Sequence, residues 1–389
     1  MQEQRTIDKG GIIQYFLNPE KCCEARSVEA LAKNLDDFLS LRQLTSKELA
    51  LVLFHATKGA QMGLYGEDTT AACEAIKNRV QTWTDKAIKK NDYSGYTIAH
   101  MFDAFSRLDL RPPERFVSFA LEKAKTLIAS NFNAADMTDF TAAIAHLAIL
   151  PDKKLLTAIG AQLTQIKRAL TPHQTCSVIR SIAILDTLAA HHHGSKRYSF
   201  GSTFSEFIND NKIREKLAGL SDPASKEMLS DALLWFKGTT PYPRSAESGT
   251  SSLFENDNKI ALEKAGAIVQ MGVHIPTPNH IVDLSATFGR ATFYVECDGP
   301  SHFIRGADDH KIYLDGPTIF QTALIRKGCP DTKLVRIPAD VFYSKRGDSD
   351  FWESFLITVD DADNGAYCLA SGGNLLPIGE GRDRAFQYT

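Results

Sequence analysis

Apolar residues recur at helical spacing from about Val28 to Gly238, and five segments there resemble one another. They are Leu49–Gly59, His100–Leu110, Phe140–Leu150, Thr175–Leu185 and Met228–Gly238, with starts 51, 40, 35 and 53 residues apart. Each reads as an apolar helix closed by a short turn. Amphipathic stretches lie between them, such as Arg115–Leu121 and Lys154–Ile159. A paired-helix unit at this period predicts α-solenoid-like helical repeats, with a non-repetitive helical bundle as the alternative. Residues 239–252 are rich in Pro, Ser, Thr and Gly and predict a linker. Glu255–Met271 then reads as a helix that Gly272 stops.

Beyond that helix the period changes to two. His280–Thr287 and Phe293–Asp298 read as strands around Phe288-Gly289-Arg290-Ala291. If Gly289-Arg290 is a two-residue type II′ loop, Phe288 faces Ala291 and the same register sets Asp283 opposite Glu296. Alternation puts Phe293, Val295 and Cys297 on one face, and Tyr294, Glu296 and Asp298 on the other. Cys297 thus turns into the core and is no nucleophile candidate. Two carboxylates side by side repel unless a cation or a shared proton lies between them. Asp283, Glu296 and Asp298 are therefore candidate ligands for a hard divalent cation, Mg²⁺ or Mn²⁺, that could activate water for phosphodiester cleavage. The opposing reading is a strand rim whose carboxylates only bind loop backbone, with Asp298 capping the turn at Gly299-Pro300. His302 is a candidate general acid or base, or a metal ligand, or a loop hydrogen-bonder.

The stretch Phe293–Phe303, the second Asp-Gly-Pro in Leu314–Thr318, the helix-like Ile319–Lys327 and Lys333–Pro338 together resemble a RAP domain over roughly Phe254–Leu356. That module occurs mostly in organellar and bacterial RNA-associated proteins. The resemblance implies a small restriction-endonuclease-like α/β domain of order α-β-β-β-α-β, akin to the very-short-patch-repair and PD-(D/E)xK nucleases. In those an Asp on one strand and an acidic-x-Lys on the next hold a metal. Asp283 and Glu296 match, the Lys position holds Asp298, and His302 resembles the His of the repair branch. Phe105–Glu114 resembles octotricopeptide and FAST-type repeats, which commonly precede RAP modules. The expected layout is a helical-repeat domain (1–238), a linker (239–252), a RAP-like α/β domain (253–358) and a weakly structured tail (359–389).

Charge refines this picture. The formal net charge of −3 hides an asymmetry: residues 1–238 carry 30 Lys+Arg against 27 Asp+Glu, and residues 239–389 carry 14 against 20. RNA contact is therefore expected from local patches on the helical part. Arg107, Arg111, Arg115, Lys153, Lys154, Lys167, Arg168 and Arg180 lie at or near similar places in successive repeats and could track an RNA backbone; scattered surface charge is the competing reading. Lys196 and Arg197, beside Tyr198 and Phe200, mix charge with stacking rings. Consecutive His191, His192 and His193 point in different directions and read as a solvated loop. Glu263 reads as part of a solvated helix face.

The seven cysteines are odd in number and form no C-x-x-C, which excludes a disulfide framework and a zinc ribbon and fits reduced, intracellular thiols. No apolar run reaches membrane-spanning length, and no Gly-rich nucleotide loop occurs. The N-terminal residues suit neither a secretory signal nor a transit peptide. A cytoplasmic location is expected, an organellar one being open through the resemblance. The expected function is RNA binding in RNA processing, stability or translation. A metal-dependent nuclease and a protein-interaction scaffold are the alternatives, with RNA or a protein as partner.

Overall fold

The computed structural model describes residues 9–17, 27–193, 204, 207–238, 252–275, 280–309 and 311–378. The chain is mostly helical, with a mixed sheet in its C-terminal region, and divides into two compact units. One holds Met1–Gln174 with Arg305–His310; the other holds Thr175–Ile304 with Lys311–Thr389.

The first unit runs through α1 (Lys9–Leu17), α2 (Val28–Ser40), α3 (Ser46–Gln61), α4 (Thr69–Lys77), α5 (Val80–Ile88), α6 (Gly95–Arg107), α7 (Glu114–Asn131), α8 (Ala134–His146) and α9 (Lys153–Ile166). Short polar side chains start these helices. Ser27, Thr45, Asp68, Ser94, Asn133 and Asp152 each accept a first-turn backbone N–H. Helix α6 packs on α3 and α8, while α7 packs on α5 and α9. The interior is aromatic: Phe38, Trp83, Phe102, Phe105, Phe116 and Phe140 are fully enclosed.

Recurrence shows at the turns. After α3, α6 and α8 the chain passes through the left-handed region at Gly63 (φ 69°), Asp109 (φ 48°) and Ala148 (φ 50°). Leu64 donates to Gly59 O and Ile149 to Ile144 O, the bond that closes a Schellman turn. Asp109 and Ala148 hold this conformation without glycine's freedom, at roughly 1–2 kcal/mol each. After Asp109 lies β1 (Leu110–Arg111), which pairs in parallel with Arg305–Gly306. At Gly95 the start of α6 meets the end of α7 so closely that a Cβ would lie 2.3 Å from Asn131 O.

The second unit contains α10 (Pro172–His193) from Thr175 onward, α11 (Asn211–Ala218), α12 (Pro223–Lys237) and α13 (Leu253–Lys264), then β2 (Ile268–Ile275), β3 (His280–Phe288) and β4 (Ala291–Asp298). Two short strands, β5 (Phe303–Gly306) and β6 (Ile312–Leu314), precede α14 (Gly316–Gly328), β7 (Lys333–Pro338), α15 (Ala339–Lys345), α16 (Ser349–Asp361), β8 (Ala366–Leu369) and β9 (Leu375–Pro377). The sheet order is β2-β3-β4-β7-β8-β9. Neighbours are antiparallel except β4–β7 and β7–β8. One face packs Phe293, Val295, Val335, Trp352 and Phe355; the other packs Val282, Leu314, Ile325, Leu334 and Cys368.

The β3–β4 hairpin has the expected register, with Phe288 facing Ala291 and Leu284 facing Val295. Gly289 sits at φ 59° while Arg290 does not enter positive φ, as a type II′ turn requires. Asp360 Oδ1 accepts the Arg290 and Ala291 N–H groups at 3.1 and 3.0 Å.

Three expectations meet a different structure. The helix read as Glu255–Met271 ends at Lys264, because Gly266 (φ 98°) takes the left-handed cap; Ile268–Ile275 then pairs with β3 as an edge strand. The region after Val359 is not uniformly weak, since Ala366–Leu369 pairs with β7 and Leu375–Pro377 with β8; residues 379–389 lie outside the described residues. The compact units divide at residues 174 and 175, whereas the expected linker, of which 239–251 lie outside the described residues, falls inside the second unit. Helix α12 belongs with the sheet because Trp235 meets Phe320 of α14 edge-on at 5.9 Å, and Lys327 Nζ lies 5.0 Å over the Trp235 ring.

Candidate functional site

The acidic residues converge where β4 and β7 end. The parallel register places Glu296 beside Arg336 and Asp298 beside Pro338. Arg336, wholly buried, reaches across to Asp298, which is 1% exposed, and grips it at both ends: Nε to Oδ2 and Nη2 to Oδ1, each 2.7 Å. Burial works against the guanidinium's charge, and the Asp298 carboxylate more than restores it, so its pKa is held above the ordinary value. Arg336 Nη1 also donates to Thr322 Oγ1 at 3.0 Å.

From this pair a polar row runs both ways. His302 Nδ1, on the one-turn helix Pro300–His302, lies 2.9 Å from Thr318 Oγ1 and 3.8 Å from Asp298 Oδ1. Asp315, from the second Asp-Gly-Pro, caps α14 by accepting the Thr318 N–H at 2.7 Å, which fixes that threonine against His302. In the other direction Arg336 Nη2 donates to Gln321 Oε1 at 3.4 Å, turning the Gln321 amide nitrogen to His280 Nε2 at 2.9 Å. The same imidazole nitrogen lies 3.3 Å from Glu296 Oε1.

Asp283 behaves differently from its partners. The ladder between β3 and β4 is regular through Leu284–Val295; beyond it, Asp283 Oδ2 accepts the Cys297 N–H at 2.7 Å. Burial, and then the charge of Glu296, push its carboxyl up to about 7, a shift that the Cys297 hydrogen bond only moderates. Burial likewise pushes the Cys297 thiol well up, in keeping with its place against the core.

The structure thus brings Asp283 and Glu296 within electrostatic reach, but it turns Asp298 to Arg336. A three-carboxylate divalent-cation site does not fit this donor set, because both Asp298 oxygens hold the guanidinium and one Asp283 oxygen holds backbone. Among the described residues no three His, Cys, Asp or Glu side chains come together to hold a metal ion. His280, Gln321, Thr318 and Arg336 complete the row without having been singled out from sequence. Arg336 stood in the recognised Lys333–Pro338 stretch, but its partner is fixed only by the β4–β7 pairing.

Three of the basic candidates meet acids. Arg107 bonds Asp103 at 2.8 Å, Arg115 pairs with Asp85, and Arg111 lies 3.8 Å from Glu114. Lys153 and Lys154 open α9, Lys167 and Arg168 follow its end, and all four are exposed or partly exposed. Arg180 lies on α10 in the second unit, its buried Nε without a hydrogen-bond partner among the described residues. Lys196 and Arg197 lie outside the described residues. His191–His193 form the last residues of α10 rather than a loop. Comparison with protein-family models finds no match, and comparison with curated proteins finds none. Among the described residues no helix is long and apolar enough to cross a membrane.

Proposed function

We propose that this protein binds RNA, with α-solenoid-like repeats in the helical part selecting it and a RAP-like, restriction-endonuclease-like module clamping it, in the service of RNA processing, stability or translation. The succession α13, β2, β3, β4, α14, β7 supports the module reading, since it follows the order that the resemblance implies once β5 and β6 are set aside as an insertion. The recurring left-handed turns at Gly63, Asp109 and Ala148 support the repeat reading.

The observation that favours clamping over cleavage is the buried Asp298–Arg336 pair. An acid paired in this way holds two strands together, and its charge is already balanced by the guanidinium rather than offered to a metal. The nuclease alternative retains Asp283 and Glu296, whose mutual repulsion a Mg²⁺ or Mn²⁺ ion would relieve. The deciding experiment incubates the full chain with structured and single-stranded RNA in Mg²⁺, in Mn²⁺ and in EDTA, and measures retention on filters at two salt concentrations. Salt-sensitive retention without cleavage is expected. Metal-dependent cleavage lost in Asp283→Asn would establish the nuclease; no retention at low salt would remove the RNA reading altogether.

A further inference from the structure

Two successive helix pairs of the first unit repeat one backbone path. Helices α6 and α8 both hold 13 residues. Ser94 and Asn133 cap their starts, and Asp109 and Ala148 follow their ends in the left-handed region, at φ 48° and 50°. Each connector then runs through a buried aliphatic residue (Leu110 or Ile149), a half-buried one (Arg111 or Leu150) and a buried proline (Pro112 or Pro151). The proline keeps the residue before it extended. Helices α7 and α9 start at matching places, Glu114 and Lys153, so one constant offset relates every landmark.

In the first copy a strand is seated on this connector. Arg305 N–H donates to Asp109 O at 2.9 Å and Ala307 N–H to Arg111 O at 3.0 Å, in parallel register. Asp308 Oδ2 accepts the Glu114 N–H at 3.3 Å, a cap that Pro113 does not give α7. In the second copy Ala148 O and both backbone groups of Leu150 take no hydrogen bond among the described residues. Extended backbone with unpaired groups is a template for a further strand.

We propose that Ile149–Leu150 is a second strand seat, open to an extended acidic segment of a partner protein. The segment lies along it as Arg305–Ala307 lies along Leu110–Arg111, donating to Ala148 O and Leu150 O and accepting from the Leu150 N–H. The charge at the far end of the seat sets the acidity of the occupant. Asp152 already caps α9 through the Leu155 N–H at 2.9 Å, and Lys125 meets its charge at 2.7 Å. Lys153 and Lys154 come next, both exposed. An acid placed where Asp308 lies in the first copy therefore approaches an excess of positive charge. RNA would meet the lysines, but its phosphates carry no donor for the two carbonyls. The inference does not rest on the RNA reading.

The test titrates the full-length protein, by fluorescence anisotropy, with a labelled peptide copying Phe303–Asp309 and with a single-stranded oligouridylate. The peptide binds. Methylating its two amides that correspond to Arg305 and Ala307 abolishes binding, whereas methylating the one that corresponds to Gly306, which points away from the seat, does not. Leu150→Pro removes the donor of the seat, weakens the peptide about tenfold and leaves oligonucleotide binding unchanged. Changing both peptide aspartates to asparagine weakens it too. If Leu150→Pro loses helical circular dichroism, Lys153→Glu/Lys154→Glu replaces it as the weakening variant. No peptide binding, equal binding of the two methylated peptides, or undiminished binding to the folded variant would each overturn the proposal; the last would place the peptide on the first seat, in exchange for the chain's own strand.

Discussion

Removing one end of the Asp298–Arg336 pair is the most demanding check on the second unit. Both side chains are out of water and joined by two 2.7 Å bonds, so Arg336→Met leaves an unpaired buried carboxylate, and Asp298→Asn leaves a buried guanidinium short of its counter-charge. Breaking such a pair costs about 3–5 kcal/mol, whereas replacing both partners with apolar residues of similar volume is often neutral or stabilising. Arg336 also bonds Thr322 and Gln321, so its loss should fall at the upper end and Asp298→Asn at the lower. The double variant Asp298→Leu/Arg336→Met should recover most of the loss, so that the two single losses together exceed the double's by a coupling energy of roughly 5–7 kcal/mol. Urea denaturation followed by the fluorescence of Trp352, which packs in the core of this unit, measures all four corners of the cycle. Single-variant losses below about 1 kcal/mol, or a coupling energy near zero, would refute the claim that this pair binds β4 to β7.

Other outcomes follow from neighbouring features. Asp283 binds its proton more tightly folded than unfolded, so its contribution to stability is fully present below pH 3.8 and is lost as pH rises through about 7. Asp283→Asn should accordingly flatten the pH dependence of the melting temperature between those limits and raise stability at pH 8; a drop at pH 8 would contradict this. Gly289→Ala should cost about 1–3 kcal/mol, because its φ is positive and the new Cβ would lie 2.7 Å from Asp360 Oδ2, and urea midpoints will show it. Gly95→Ala should destabilise the first unit by pushing Asn131 O away, seen as faster amide exchange in α6 and α7 while the sheet is unaffected. Replacing Lys153, Lys154, Lys167 and Arg168 together should weaken RNA retention across sequences and flatten its salt dependence; unchanged retention would move the RNA contact elsewhere.

Local features were the legible ones. A two-residue loop with glycine first fixed the hairpin register, and alternation placed Cys297 inward, because both depend on residues a few positions apart. The helical segments were legible from periodicity, but their turns were not, since Asp109 and Ala148 adopt a conformation that composition associates with glycine. What escaped was set by pairing across long separations. Asp298 finds Arg336 38 residues on, and His280 finds Gln321 41 residues on, through strands and a crossover helix that no local pattern specifies. Ile268, Val269 and Met271 fit either period over so short a run, so the edge strand after Gly266 reads in sequence as a continuation of the helix. The Ser- and Pro-rich stretch reads as a boundary, yet Trp235 of α12 before it packs on Phe320 of α14 after it, a contact that no local pattern specifies.

Asp360 has a bearing on how the chain comes off the ribosome. The hairpin tip at Gly289-Arg290-Ala291 is complete in sequence long before the carboxylate that caps its amides has been made. Strands β7 and β8, which close the sheet beyond β4, emerge in the same late interval. A nascent chain that has just exposed β2, β3 and β4 therefore presents an uncapped loop and a bare edge at β4, a template for pairing with other chains. A fragment cut at residue 358 would keep β7 but lose Asp360 and β8 together, leaving the loop uncapped and β7 as the bare edge, and would be expected to aggregate more readily than the full chain.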